Sequence, residues 1–192
     1  MMPMRGPRAR REPGAASGQS DADDDSVRRA EIYALDLLAR RPRTVREMAQ
    51  KLEARGHSET VVADLLARME RVGYLDDRRF TRYWVEERAR ARPCGPARLR
   101  RELFLRGVPA EVVSSVLAEE MTAEVEETLA VRAAMKKAGS GRLEPGAATR
   151  RLWGFLRRRG FGIGACRAAL AAVSGSPCGD DEWPSDPGDA LP

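Results

Sequence analysis

Aromatic side chains make up only 5% of this 192-residue chain, there is a single histidine, and the three cysteines form no C-x-x-C pair. Each scarcity excludes something. A histidine-containing metal site or a catalytic triad would have to depend on His57 alone, and no ligand or nucleophile spacing accompanies it. Cys94, Cys166 and Cys178 are odd in number, which speaks against a disulfide framework or a zinc site and fits a reducing cytosol. Cys166 falls on an apolar stripe and reads as a small buried hydrophobe. No run approaches the roughly 20 apolar residues of a membrane span, and no apolar stretch follows the N-terminal arginines. The expected location is therefore the cytoplasm, with no membrane contact. There is also no phosphate-binding glycine loop and no nucleophile paired with a base, so neither an enzyme nor a cofactor is expected.

What the chain has in quantity is charge. Hydrophobic residues make up 42% and charged residues 33%, a balance that suits amphipathic, salt-bridge-rich helices. The net charge of +5 is unevenly spread. Residues 1–26 carry a net −1 and residues 179–192 a net −5, which leaves +11 on residues 27–178. A body that basic is drawn to polyanions, with nucleic acid the leading candidate and an acidic protein groove the alternative.

Three short phrases set the organisation: Lys51-Leu52-Glu53-Ala54-Arg55-Gly56-His57, Glu102-Leu103-Phe104-Leu105-Arg106-Gly107-Val108 and Phe155-Leu156-Arg157-Arg158-Arg159-Gly160-Phe161. Each ends a helix with an arginine suited to the helix dipole and a glycine suited to the left-handed cap. Eight and four residues before each glycine stand Met48 and Leu52, Leu99 and Leu103, Leu152 and Leu156, one helical face in each copy. A second stripe follows each glycine: Val61, Val62, Leu65, Leu66; then Val112, Val113, Val116, Leu117; then Ala165, Cys166, Ala169, Leu170. The pattern predicts an all-α protein of three tandem three-helix repeats in an elongated, curved array with disordered N- and C-terminal tails. The expected divisions are a disordered tail at 1–26, repeats at 27–75, 76–121 and 122–174, and an acidic disordered tail at 175–192.

Local signals place the helix ends. Thr44-Val45-Arg46-Glu47 matches a capping box, Ser58 can cap the next helix, and Asp76 as N-cap puts Leu75 and Phe80 in the positions of a hydrophobic staple. That role accounts for Asp76-Asp77 better than paired catalytic carboxylates do. Val125, Leu129, Val131 and Met135 are the expected apolar face of the seventh helix, and residues 139–146 form a long loop before the eighth. Trp84 and Trp153 could stack on bases, but their apolar neighbours favour a core role. Arg78, Arg79, Arg82, Arg98, Arg101, Arg157 and Arg158 lie off the apolar stripes and form the candidate electrostatic footprint for a polyanionic partner. Arg55, Arg106 and Arg159 read as helix punctuation only. The acidic segment after Cys178 could fold back on the basic body and compete with DNA, in which case deleting 179–192 strengthens DNA binding at low salt.

These residues carry a family resemblance. Gly73-Tyr74-Leu75-Asp76-Asp77-x-x-Phe80, followed by Gly95-Pro96-x-Arg98-Leu99-x-x-Glu102-Leu103-x-x-Arg106-Gly107-Val108, resembles the RecX family of regulators of the RecA recombinase. Tyr33-Ala34-Leu35-x-Leu37-Leu38-x-x-Arg41-Pro42 and Leu156-x-x-Arg159-Gly160-Phe161 are similar to the family's first and third units. His57 departs from it, standing where an apolar or aromatic residue is usual. The resemblance implies a monomeric regulator that binds RecA filaments on single-stranded DNA and represses ATP hydrolysis, recombination and coprotease activity in the SOS response and DNA repair. Its direct contact with single-stranded DNA would be weak and salt-sensitive. The alternative from the three-helix unit alone is a helix-turn-helix-like DNA-binding regulator.

Overall fold

A computed structural model describes residues 17–139 and 146–174, with side chains from residue 25 onward. Among these residues there are nine helices and no strand: α1 (Ser17–Arg40), α2 (Val45–Glu53), α3 (Glu59–Arg71), α4 (Asp77–Ala91), α5 (Pro96–Leu105), α6 (Ala110–Glu120), α7 (Ala123–Ala138), α8 (Ala147–Arg158) and α9 (Ile163–Ser174). The helices pack in consecutive triplets, α1–α3, α4–α6 and α7–α9. The acidic tail lies outside the described residues.

The helix ends follow local chemistry. The side-chain oxygens of Thr44, Ser58, Asp76 and Thr122 each accept a backbone N–H in the first turn of the helix that follows. Leu75 and Phe80 are both buried, as a staple across the start of α4 requires. At α2 only half of the expected capping box forms. Thr44 accepts from the Glu47 N–H at 3.0 Å, but the Glu47 carboxylate takes the guanidiniums of Arg41, at 3.0 Å, and Arg106.

The first helix, α1, runs from Ser17, ahead of residue 27, the expected start of the first repeat. Once its packed part is nucleated, adding residues costs little and needs no buried face, and Asp25 and Arg29 stand at the favourable i, i+4 spacing. One expectation needs correction: in α7, Val125 and Met135 are exposed, and the buried face is Leu129, Ala130, Ala133 and Ala134. This small-residue seam faces Ala165, Cys166 and Ala169 of α9, which packs along it, and short side chains let the two helices approach closely.

The three Arg-Gly phrases fold identically at the chain level. The N–H of the residue after each glycine donates to a carbonyl five residues back: His57 to Leu52 at 3.3 Å, Val108 to Leu103 at 3.2 Å and Phe161 to Leu156 at 3.3 Å. The glycines have φ of +89°, +79° and +82°, conformations that only glycine adopts without strain.

These caps turn out to be where the triplets meet. The carbonyls of Arg159 and Gly160, at the end of α8, accept the N–H groups of Gly95 (3.0 Å) and Ala97 (3.3 Å), at the start of α5. The guanidinium of Arg159 adds a bond to the Pro93 carbonyl at 2.8 Å. At the other end of α5, the Arg106 carbonyl accepts the hydroxyl of the fully buried Thr44 at 2.7 Å, and Asp77 accepts the Val45 N–H at 2.9 Å. Helices α8, α5 and α2 are thus joined end to end. The orphan N–H groups of α5 meet the orphan carbonyls of α8. At the start of α2, a side-chain hydroxyl meets the Arg106 carbonyl instead, and the Val45 N–H goes to Asp77 of α4. A Cβ on Gly95 would lie 2.1 Å from the Gly160 oxygen, one on Gly160 2.4 Å from the Arg98 nitrogen, and one on Gly107 2.0 Å from the Arg46 side chain.

The two joints differ in what supports them. One continuous core runs from Phe80 through Leu103 and Leu129 to Leu170, so the second and third triplets share it. The first triplet has its own core, from Ala30 through Leu52 to Leu75. Its attachment to the second therefore rests mainly on polar groups, each hydrogen bond contributing about 1 kcal/mol net. Within the second triplet, Glu102 on α5 ties the helix to α4. It accepts from Arg98 (2.9 Å), Arg88 (2.8 Å) and the Trp84 indole (3.2 Å).

Gly160→Ala should destabilise the protein markedly more than Gly56→Ala. Both incur the left-handed backbone cost of about 1–2 kcal/mol, but only the first also forces α8 off α5, while nothing lies within 4 Å of a Cβ at Gly56. Comparison of the two urea midpoints measures the joint. A second outcome follows from Glu102. Burial alone would raise its carboxyl pKa, but hydrogen bonds from Arg98 and Arg88 outweigh it and hold the group below the ordinary 4.5. Its contribution is fully present above pH 4.5 and is lost as pH falls through the lowered folded value. Glu102→Gln should therefore cost about 1 kcal/mol near neutral pH, after allowance for solvent screening, and progressively less in acid, as urea titrations across that range will measure.

Candidate interaction surface

The arginines expected to form a footprint separate into structural and free groups. Arg78 donates to Ser115 (2.9 Å) and Glu119 (2.5 Å), and Arg82 pairs with Glu119 (3.2 Å) and Glu120 (3.3 Å), so both clamp α4 to α6. Hydrogen bonds from Arg78 and Arg82 hold the Glu119 carboxyl below its usual range. Arg98 is half-buried, paired with Glu102 and seated against Gly160 in the joint. Arg157 donates to the Phe161 carbonyl at 2.8 Å. The exposed Arg79 donates to the Gly73 carbonyl at 2.9 Å. Arg101 and Arg158 are exposed and have no ion pair among the described residues.

Arg101 is joined by a neighbour that the sequence reading passed over. Arg100 is also exposed, and the two guanidiniums border an apolar groove of about 370 Å³ between α5 and α6, lined by Ala97, Phe104, Val108 and Val113. At the end of α5, Phe104 is 65% exposed and Leu105 76%. The signal for this patch was available: two bulky apolar residues stand off the Leu99/Leu103 stripe, beside arginines, with no helix left to cover them. The arrangement suits an interface that combines apolar contact with anion attraction.

The remaining candidates resolve into structural roles. Trp84 is half-buried, lies 6.0 Å from the Phe80 ring centroid, and has Arg88 and Arg106 over its ring at 4.4 and 3.9 Å. Cations, not bases, occupy its π surface. Trp153 is half-buried against the larger core. Asp76 caps α4, whereas Asp77 belongs to the joint at the start of α2. Burial pushes the Asp77 carboxyl up, against the lowering effect of its bond from Val45. Cys94 and Cys166 are buried; burial raises the first thiol and pushes the second up to about 12. Neither is an available nucleophile near neutral pH. Among the described residues no group of three histidine, cysteine or acidic side chains could hold a metal, and no helix is long and apolar enough to cross a membrane.

Comparison with known proteins adds the family. Residues 30–69 match the first three-helix domain of RecX, and residues 76–117 match its second. A regulatory protein RecX from Mycobacterium sp. (strain KMS) is 39% identical over 158 residues, covering 78% of this chain and 86% of the relative. The regulatory protein RecX of Thermus thermophilus is 44% identical over 138 residues, covering 71% and 87%. Among solved structures, RecX from Lactobacillus salivarius superposes with a TM-score of 0.68 at 17% identity, over 78% of this chain and 97% of that one. A second crystal structure of a regulatory protein RecX gives 0.71 at 22% identity, over 80% and 77%. The structural likeness establishes a shared fold, and the sequence identities, sustained over most of both chains, establish that this protein belongs to the RecX family.

Proposed function

We propose that this chain is a non-enzymatic, monomeric, cytoplasmic regulator that binds RecA filaments on single-stranded DNA. In doing so it inhibits the ATPase, recombinase and coprotease activities of RecA, and so modulates homologous recombination and the SOS response. The observation that carries the reading is its similarity to regulatory RecX proteins over 78% of its length. The +11 charge of residues 27–178 supports it, because the filament presents a polyanion. The groove bordered by Arg100 and Arg101 supports a mixed contact, with Phe104 and Leu105 against protein and the guanidiniums against acidic groups.

The alternative, a helix-turn-helix-like reader of duplex DNA, is less well supported. Such proteins place the first turn of a recognition helix against base edges. Here the first turns of α3 and α6 carry Glu59 and Glu111, which phosphates and most base edges would repel.

The arginine sorting decides which substitutions to make. Charge reversal at Arg98 or Arg157 would disturb structure, whereas Arg100, Arg101 and Arg158 are exposed. Added to RecA turning over ATP on single-stranded DNA, the wild-type protein should lower the rate. Arg100→Glu/Arg101→Glu should weaken that inhibition by about tenfold at low salt, with less difference at high salt, and leave the melting temperature unchanged. No inhibition by the wild type at any salt concentration contradicts the proposal.

A further inference from the structure

The end-to-end series α8, α5, α2 has an unused end. The caps of α8 and α5 each hold the start of another helix, and the cap of α2, Arg55-Gly56-His57, repeats their backbone geometry while holding none. The likeness extends to side chains. Tyr33 and Arg55 stand 51 residues before Trp84 and Arg106, and the Arg55 guanidinium lies 4.4 Å over the Tyr33 ring as that of Arg106 lies 3.9 Å over Trp84. Arg106 goes on to pair with Glu47, three residues after the N-cap Thr44 whose hydroxyl bonds its carbonyl. Arg55 is exposed and has no ion pair among the described residues. Gly56 has open space where a Cβ would point, whereas Gly107 and Gly160 each have another triplet against them.

The surroundings of the empty cap are those of a contact surface. A shallow cavity of about 440 Å³ is lined by Arg29, Ile32, Tyr33, Asp36, Arg55 and His57. Ile32 is 69% exposed. Arg29 and Arg55 are both exposed there, and Asp36 is already paired with Arg40 at 2.8 Å. His57 occupies the position after the cap glycine. Its counterparts Val108 and Phe161 are buried, whereas His57 is only half-buried.

We infer that this cap is an open joint that receives the first turn of a helix from a partner protein. The inference rests on the proposed function, and the partner is accordingly a subunit of the RecA filament. The occupied joints define the chemistry of the occupant: a hydroxyl or glycine at the N-cap that reaches the Arg55 carbonyl, a carboxylate one turn into the helix for Arg55, and an apolar side chain against Ile32. A second copy of this chain fits poorly. The helix that would continue the series is α8, whose first turn has no acid and whose early residues include Arg150 and Arg151, so like charges would face Arg29 and Arg55.

The test uses the full-length chain and RecA filaments on oligo(dT), with binding measured for the wild type and for Ile32→Asp/Arg55→Glu. Both substituted residues are exposed, so circular dichroism should be unchanged and Tm should fall only slightly, through loss of the Arg55–Tyr33 contact. The variant should bind about tenfold more weakly. His57 is the chain's only histidine, so its imidazole resonances in the wild type should shift on addition of filament. Equal binding by the two proteins, or imidazole resonances unmoved at saturation, overturns the open joint while leaving the proposed function standing. No filament binding by the wild type overturns both. Wild-type self-association that rises with concentration and disappears in the variant identifies the occupant as a second copy and overturns the assignment to a partner.

Discussion

Every α-helix leaves unpaired N–H groups at its start and unpaired carbonyls at its end, and this protein satisfies several of them across triplet boundaries. It does so backbone to backbone between α8 and α5, and through the Thr44 hydroxyl and the Asp77 carboxylate at the start of α2. The bonds from Gly95 and Ala97 to Arg159 and Gly160, and from Thr44 to Arg106, are few. They are nonetheless the main attachment of the first triplet to the second, and they fix helix ends where the second and third triplets also share a core. They require glycine at the contact, because a single Cβ at Gly95 would meet the Gly160 carbonyl at 2.1 Å. They also require the recurring Arg-Gly cap, whose left-handed glycine turns the chain away so that another helix can approach the exposed carbonyls.

This constraint accounts for how the charge is distributed. Arginine is abundant, but much of it is committed: Arg106 to Glu47, Arg159 to the Pro93 carbonyl, Arg98 and Arg88 to Glu102, Arg78 and Arg82 to Glu119. Arg100, Arg101 and Arg158 are exposed without ion pairs among the described residues, and the first two border exposed apolar surface. α5 thus offers apolar contact and anion attraction together, through Phe104 and Leu105 beside Arg100 and Arg101.

Local features were legible in the sequence, and features made by distant residues were not. Thr44, Ser58 and Asp76 announced helix starts because capping involves neighbours three residues away. Gly56, Gly107 and Gly160 announced helix ends for the same reason. That Thr44 also holds Arg106, 62 residues on, could not be read locally. Local sequence explains Arg106 and Arg159 as helix punctuation, and the structure places both in joints. The buried face of α7 was misread because Val125 and Met135 outweigh alanine on any hydrophobicity scale, whereas close packing against α9 selects Ala130, Ala133 and Ala134 for their size. Solvent-facing arginines could be named from helical periodicity, but whether each had a carboxylate partner depended on helices elsewhere in the chain.

The central claim is that the end-to-end joints hold the triplets as one body, and native-state hydrogen exchange tests it most directly. If the joints persist in solution, the amides of Gly95, Ala97 and Val45 exchange slowly, with protection approaching that of Leu99 in the interior of α5. If these three amides exchange as fast as an exposed loop while Leu99 stays protected, the triplets move independently and the account of the joints is wrong.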